Sequence, residues 1–317
     1  MILLSEQEVQ ELLDLDALVD ALAEAHRELS EGKASMPPRI AAFAEHSGLL
    51  GAMPAYLPSA GLACKLVSLF PENRDRHTHQ ALIAVFDPTN GSPVALMDGT
   101  YITATRTAAG SALATRLLAR EDARVLAILG AGVQARTHAE ALRRVRDFDE
   151  VRIASRDTAR AAKLAQELGA EPAASFEEAV RGAHVVAATT HATEPIVLRE
   201  WLEPGAHVNS VGANPAGSGE VDPAIVRDAA VVAVEYRDST LAPPPAGASE
   251  FRDGAPSGLV ELGELVAGTK PRRTSPEQIT LYKSVGVAVQ DAAAAALVLA
   301  AARERSVVRE IELEEAR

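Results

Sequence analysis

With only one cysteine, Cys64, this chain has no internal disulfide framework. It also lacks a charged-then-apolar opening: MILLSEQEVQ is no signal segment, so the chain reads as cytoplasmic. No apolar run reaches the roughly 18 residues that a membrane span needs. The longest, DAAAAALVLAAA, is short and mostly alanine, so no membrane partner is expected. Basic charge is scarce too. A net charge of −13 excludes a phosphate backbone as partner, and nucleic acid with it. Aromatic residues make up 3%, too few for base-stacking platforms. At 317 residues the chain is long enough for two domains with real cores, so neither metals nor disulfides are required. An anionic ligand would have to be held by a few individually placed cations.

The pattern changes along the chain. SEQEVQELLDLDALVDALAEAHRELSEG has apolar residues at helical spacing, with Ser and Asp at N-cap positions and Gly32 as a stop, and predicts two helices. From Pro37 the runs RIAAFA, SGLLGAMPAYL, LACKLVSLF, ALIAVFD and GSPVALMD predict strands of an antiparallel or mixed sheet, with PTNG as a hairpin turn. TYITATRTAAGSALATRLLA predicts a long helix. Then RVLAILGAG, VRIASR, HVVAATT, HVNSVG and AVVAVE alternate with helical patterns, which is how buried parallel strands read. A doubly wound α/β sheet is expected over about 121–276. Beyond it a helix is expected from the region of Val285, alanine-rich and suited to pack back on the first sheet.

LAILGAGVQARTHAEAL carries Gly130, Gly132 and Ala135 at G-x-G-x-x-A spacing, after a strand and before a helix. Dinucleotide binding needs a turn without Cβ, close backbone approach to a pyrophosphate and a helix N-terminus facing it. The second strand ends at Ser155 without an acidic residue, and Arg156 could pair with a 2′-phosphate, which favours NADP. Asp157 pulls toward NAD, so NAD stays possible.

Three cations stand in apolar surroundings: Arg39 after MPP, Lys65 within LACKLVSLF, and Arg106 within TATRTAAGSALA. Each alone is an ordinary surface charge. Together, in so acidic a chain, they predict a pocket for a carboxylate, with Arg clamping it and a buried Lys able to give up a proton. His77 and His79 form an H-x-H pair with no matching cluster, so a structural or substrate-loop role is expected and no metal site. Ser/His/Asp catalysis has no G-x-S-x-G support.

Read together, MPPR (36–39), MPAYL (53–57), LACKLVSLFPEN, MDGTYITATRTAAGSALA, LGAGVQA, WLEPGAHVNSVGAN and ITLYKSVGVAVQD resemble the ornithine cyclodeaminase/mu-crystallin family nearly end to end. The resemblance implies a Rossmann-type dinucleotide domain (121–285) inserted after an N-terminal α+β domain for substrate and dimerisation (1–120 plus a returning 286–317), in a homodimer. It places Arg39, Lys65 and Arg106 around a substrate carboxylate and Val285 near the substrate. Thr107, Val133, Gln134, Ser155, Thr190 and Ser284 match cofactor-contacting positions. The turn at Val211 and Gly212 is expected to pass the nicotinamide.

Two departures narrow the chemistry. Cyclodeaminases carry an Asp where this chain has Asn214, and an acidic residue shortly before the Met-Pro pair, where it has Gly51 and Ala52. Oxidising an amine, closing a ring and reducing the imine need those bases. The expectation is therefore an NAD(P)H-dependent oxidoreductase acting on the C–N bond of a 2-imino or 2-amino acid, an imine or ketimine reductase with Lys65 and Asn214 in catalysis. The alternatives are a cyclodeaminase that releases ammonia from ornithine or lysine, and a crystallin-like protein that binds cofactor and a small acid.

Overall fold

The structure, a computed structural model, describes residues 1–45, 48–212, 219–243, 246–252, 254–305 and 309–312. The chain divides into two compact units, Met1–Arg106 with Val287–Arg317, and Thr107–Gly286.

The first unit holds a seven-stranded mixed sheet. Its strands are β1 (Ile2–Leu4), β2 (Ile40–Ala44), β3 (Gly48–Leu57), β4 (Gly61–Leu69), β5 (His79–Phe86), β6 (Pro93–Asp98) and β15 (Arg309–Glu310), in the order β15-β1-β6-β5-β4-β3-β2. Its helices are α1 (Glu6–Leu12), α2 (Leu15–Ser30) and α10 (Ala288–Glu304). The two expected N-caps are present: Ser5 and Glu8 form a capping box on α1, and Asp14 accepts from the Ala17 amide on α2. Alternation along β3–β6 sends Met53, Lys65, Ile83 and Met97 to one buried face, in register across four strands. On this unit α10 packs against β3, β4, β5 and α2. Its run Ala292–Ala295 is fully packed, because side chains no larger than methyl let backbones approach closely.

The second unit is an eight-stranded sheet, parallel in every pairing: β7 (Val125–Leu129), β8 (Glu150–Ala154), β9 (Glu171–Pro172), β10 (Val185–Ala188), β11 (His207–Ser210), β12 (Val231–Val234), β13 (Leu259–Glu261) and β14 (Thr280–Lys283). The order is β13-β12-β14-β11-β10-β7-β8-β9, a doubly wound sheet whose order reverses between β7 and β10. Helices α4 (Val133–Leu142), α5 (Thr158–Leu168), α6 (Phe176–Val180), α7 (Pro223–Asp228), α8 (Arg237–Thr240) and α9 (Leu262–Val266) connect the strands. Leu126 and Ile128 of β7 pack with α4 in one core cluster, while Ala127 and Leu129 join a second with Val208, Val232 and Leu281. Strands buried on both faces produce the continuous apolar runs seen in the sequence.

Two differences from the sequence reading have physical causes. The sheet runs past Pro276, because ITLYK is strand β14 and lies between β11 and β12. Helix α3 (Thr100–Leu118) was expected wholly within the first domain, ending near residue 120. Instead the division between units falls inside it, at Arg106. Its later half is tied to the second unit: Ser111 Oγ meets His138 Nε2 at 2.9 Å, and Asn209 Nδ2 donates to Thr115 Oγ1 at 3.0 Å. Burial pulls the His138 ring down to about 4, against the pull of the Gln134 carbonyl, which keeps it neutral. Among the described residues no helix is long and apolar enough to cross a membrane.

Candidate active site

The glycine turn follows β7 directly. Gly130 has φ +126°, and a Cβ there would sit 2.7 Å from Thr189 Oγ1 and 3.0 Å from its carbonyl oxygen. Only glycine fits. Gly132 is the N-cap of α4 with no side chain capping the helix, and a Cβ on it would meet nothing within 4 Å. The open space beside Gly132, at the start of α4 and the sheet's reversal point, is where a helix N-terminus would stabilise a pyrophosphate. Val133 is exposed, and the buried Oε1 of Gln134 has no hydrogen-bond partner among the described residues. These features fit a dinucleotide. Gly130→Ala is expected to destabilise the protein by about 1–3 kcal/mol and to abolish tight dinucleotide binding. Melting and titration of nicotinamide fluorescence check both.

Other expected cofactor positions lie at the carboxyl ends of these strands. Ser155 follows β8, and its Oγ accepts from the Asp157 amide at 3.3 Å. Arg156 is exposed. Asp157 is occupied as the N-cap of α5, accepting from the Arg160 amide at 3.1 Å. Beyond β10, Thr190 gives both its amide and its hydroxyl to Glu220 Oε1, each at 2.6 Å. Past β11, the Val211 amide donates to Ala188 O, and the Gly212 amide to Glu220 Oε2 at 2.6 Å. Ser284, after β14, donates to Glu235 at 2.6 Å, and the Val285 amide bonds the same carboxylate. Thr107 is half-buried in α3.

In the first unit, Lys65 and Arg106 come together on one carboxylate. Lys65 Nζ lies 2.8 Å from Asp291 Oδ2, and Arg106 Nε donates to Asp291 Oδ1 at 3.0 Å. All three side chains are buried, Lys65 to 2% exposure. Gln290 Oε1 accepts from Arg106 Nη1 at 3.0 Å and Gln290 in turn meets His26 Nε2, which fixes the guanidinium from a second side. Asp291 sits in the first turn of α10, where the helix dipole favours its charge. Burial pulls the Lys65 ammonium down to about 8. Asp291 resists that shift, while the charges of Arg106 and Arg39 add to it. Arg39 precedes β2 and is exposed. Among the described residues these two buried cations share the one carboxylate Asp291, a charge balance that a bound anion would offset.

The family model for the ornithine cyclodeaminase/mu-crystallin family matches residues 1–306. The chain belongs to this family. Mouse ketimine reductase mu-crystallin is 41% identical over 93% of this chain and 95% of its own. The solved structure of Thermococcus litoralis Δ1-pyrroline-2-carboxylate reductase, in complex with NADH and L-proline, is 35% identical. It superimposes with a TM-score of 0.91, over 98% of this chain and all of that one. An archaeal alanine dehydrogenase dimer with bound NAD is 32% identical, with a TM-score of 0.87 over 99% of each chain.

Within the ornithine cyclodeaminase/mu-crystallin family, the departures noted in the sequence remain. Gly51 and Ala52 sit in β3 opposite Val67 and Leu66, so no carboxylate arises there. Asn214 lies outside the described residues. His77 is exposed between β4 and β5, and His79 is exposed as the first residue of β5. Sequence reasoning missed Asp291, Gln290, Glu220 and Glu235. Asp291 had a visible signal, a charge set in an otherwise apolar alanine helix. The two glutamates had none, since nothing in GEVD or VAVEYR shows where each carboxylate points.

Proposed function

We propose that this chain is an NAD(P)H-dependent imine reductase that converts a carboxylate-bearing ketimine to the 2-amino acid, cyclic ketimines included. The observation that carries this reading is the buried Lys65–Asp291–Arg106 cluster, with Arg39 near it. It is built to hold a carboxylate and, through Lys65, to deliver a proton. When bound, the nicotinamide supplies the hydride. Arg106, already fixed by Asp291 and Gln290, grips the substrate carboxylate with N–H groups that those two bonds do not use, and so orients the imine without further ordering cost. Lys65, held near 8, is mostly protonated at neutral pH and able to donate. By the family resemblance, Asn214 would orient the imine nitrogen or a water. Reduction of an imine needs no strong carboxylate base, which suits a chain without the two acids of the cyclodeaminases.

NADPH is the favoured cofactor. Asp157 uses Oδ1 to cap α5, while Arg156, exposed and next to Ser155 in the chain, would pair with a 2′-phosphate there. The test supplies purified protein with NADPH or NADH and a panel of cyclic ketimine carboxylates, and in parallel pyruvate or oxaloacetate with ammonia or methylamine. Cofactor oxidation with at least one imine acid supports the reading. None across the panel, with cofactor binding confirmed, refutes it. Ammonia release from ornithine or lysine with catalytic cofactor would favour a cyclodeaminase, and ligand-dependent melting without turnover a binding protein.

We also propose a homodimer. Leu50, Leu66 and Leu82 are 52%, 39% and 48% exposed on the outer face of the first unit's sheet, with Leu66 directly opposite Leu82. An apolar face of this kind marks an association surface. Leu66→Glu is expected to raise the dimer dissociation constant at least about a hundredfold, read by sedimentation velocity, because it buries a charge in an apolar contact.

A further inference from the structure

Strand β14 lies between β11 and β12, and its last residue with the turn that follows, 283–286, is held from both sides, the Ser284 amide donating to Ser210 O at 2.9 Å. On the β11 side, Lys283 Nζ donates to Gly212 O at 2.6 Å, to Ser210 Oγ at 3.2 Å and to Glu250 Oε1 at 2.8 Å. On the β12 side stands Glu235, fully buried at the carboxyl end of its strand. Its carboxylate collects donors from three consecutive residues: Ser284 Oγ at 2.6 Å, the Val285 amide at 2.7 Å, and the Gly286 amide at 3.1 and 3.2 Å to its two oxygens. Gly286 has φ +73°, which turns its amide inward beside that of Val285.

The cost of this arrangement makes it informative. Burying a full negative charge costs several kcal/mol unless hydrogen bonds replace its hydration, and here four such bonds come from one short turn. We infer that Glu235 is a positioning residue: it sets the Ser284–Gly286 turn before ligands arrive, and through it Ser284 toward the nicotinamide and Val285 toward the substrate. This rests on the reductase reading and on the roles that the family resemblance implies for Ser284 and Val285. A carboxylate is needed because both its oxygens only accept. In Glu235→Gln one of them becomes an NH2 group: in place of Oε2 it leaves the Val285 amide without its acceptor, and in place of Oε1 it takes one of the Gly286 amide's two acceptors and forces the Ser284 hydroxyl to reverse. Glu235→Asp keeps the charge but withdraws it by one methylene.

The test compares wild type, Glu235→Gln and Glu235→Asp by four readouts. Amide hydrogen exchange is followed at Val285 and Gly286 in the cofactor-free protein. NADPH and NADH dissociation constants come from nicotinamide fluorescence without substrate. Melting temperature is measured, and so are kcat and KM on an active imine acid. In Glu235→Gln, exchange should rise at one or both of these amides and the cofactor dissociation constant should increase about tenfold. kcat should fall by about ten- to a hundredfold, the scale of misplacing groups by an ångström. Glu235→Asp should fall between. A folded Glu235→Gln with wild-type cofactor affinity and kcat overturns the inference, and lowered melting alone would mark a merely structural anchor. If Glu235→Gln does not fold, Glu235→Asp decides: weakened cofactor binding at wild-type melting supports the inference, and wild-type binding overturns it. Because exchange and cofactor affinity need no turnover, failure of the reductase reading would show separately, as a wild type that binds cofactor but reduces no imine.

Discussion

Arg106→Ala is expected to lower kcat/KM for an imine acid by about two to three orders of magnitude, with NAD(P)H affinity unchanged. The size follows from removing one member of a buried, hydrogen-bonded charge cluster, a loss of about 3–4 kcal/mol. Two costs combine in it. The substrate carboxylate loses its anchor, and Asp291 and Gln290 lose the group they hold at 3.0 Å each. Cofactor affinity is the control, because the glycine turn belongs to the second unit and Arg106 to the first. Steady-state kinetics beside fluorescence titration give both values. Unchanged turnover would remove the carboxylate cluster from the account.

The second large effect is on pH dependence. Lys65 is drawn down to about 8 by burial, and Asp291 is the neighbour that limits the fall. If Lys65 donates the proton, activity is high while it is protonated and declines as pH rises through about 8. In Asp291→Asn the supporting charge is gone while burial and Arg106 remain, so the Lys65 pKa drops further. The alkaline limb of the kcat/KM profile should then move to lower pH, leaving Lys65 largely deprotonated at neutral pH, and turnover there should fall about tenfold or more. Cutting a buried ion pair also costs stability of about 3–5 kcal/mol, so melting is read alongside. The shifted limb is the diagnostic part, since loss of stability alone leaves the titration of surviving enzyme in place.

Much of this molecule was legible because its physics is local. Ser5 and Asp14 announce helix starts, Gly130 and Gly132 announce a turn with a defined job, and paired apolar runs announce buried parallel strands. The site was legible only in part. Lys65 and Arg106 stood out as charges in apolar runs, yet the partner that organises them, Asp291, lies 185 residues beyond Arg106 and further still from Lys65, and meets them only through folding. Strand β14 was missed because four residues carry no usable period, and its place in the sheet is set by neighbours on both sides. Glu220 and Glu235 read as unremarkable acids in an acidic chain. Their meaning comes from the backbone amides that converge on them.

The central claim is that hydride passes to the imine carbon of a carboxylate-bearing substrate. It is tested most directly by following deuterium. Incubating the enzyme with NADPH deuterated at nicotinamide C4, or the NADH equivalent, and a cyclic ketimine carboxylate should give the cyclic amino acid with one deuterium at its α carbon, seen by NMR and mass spectrometry. Substrate recovered unreduced by either labelled stereoisomer, with cofactor bound, would contradict the account.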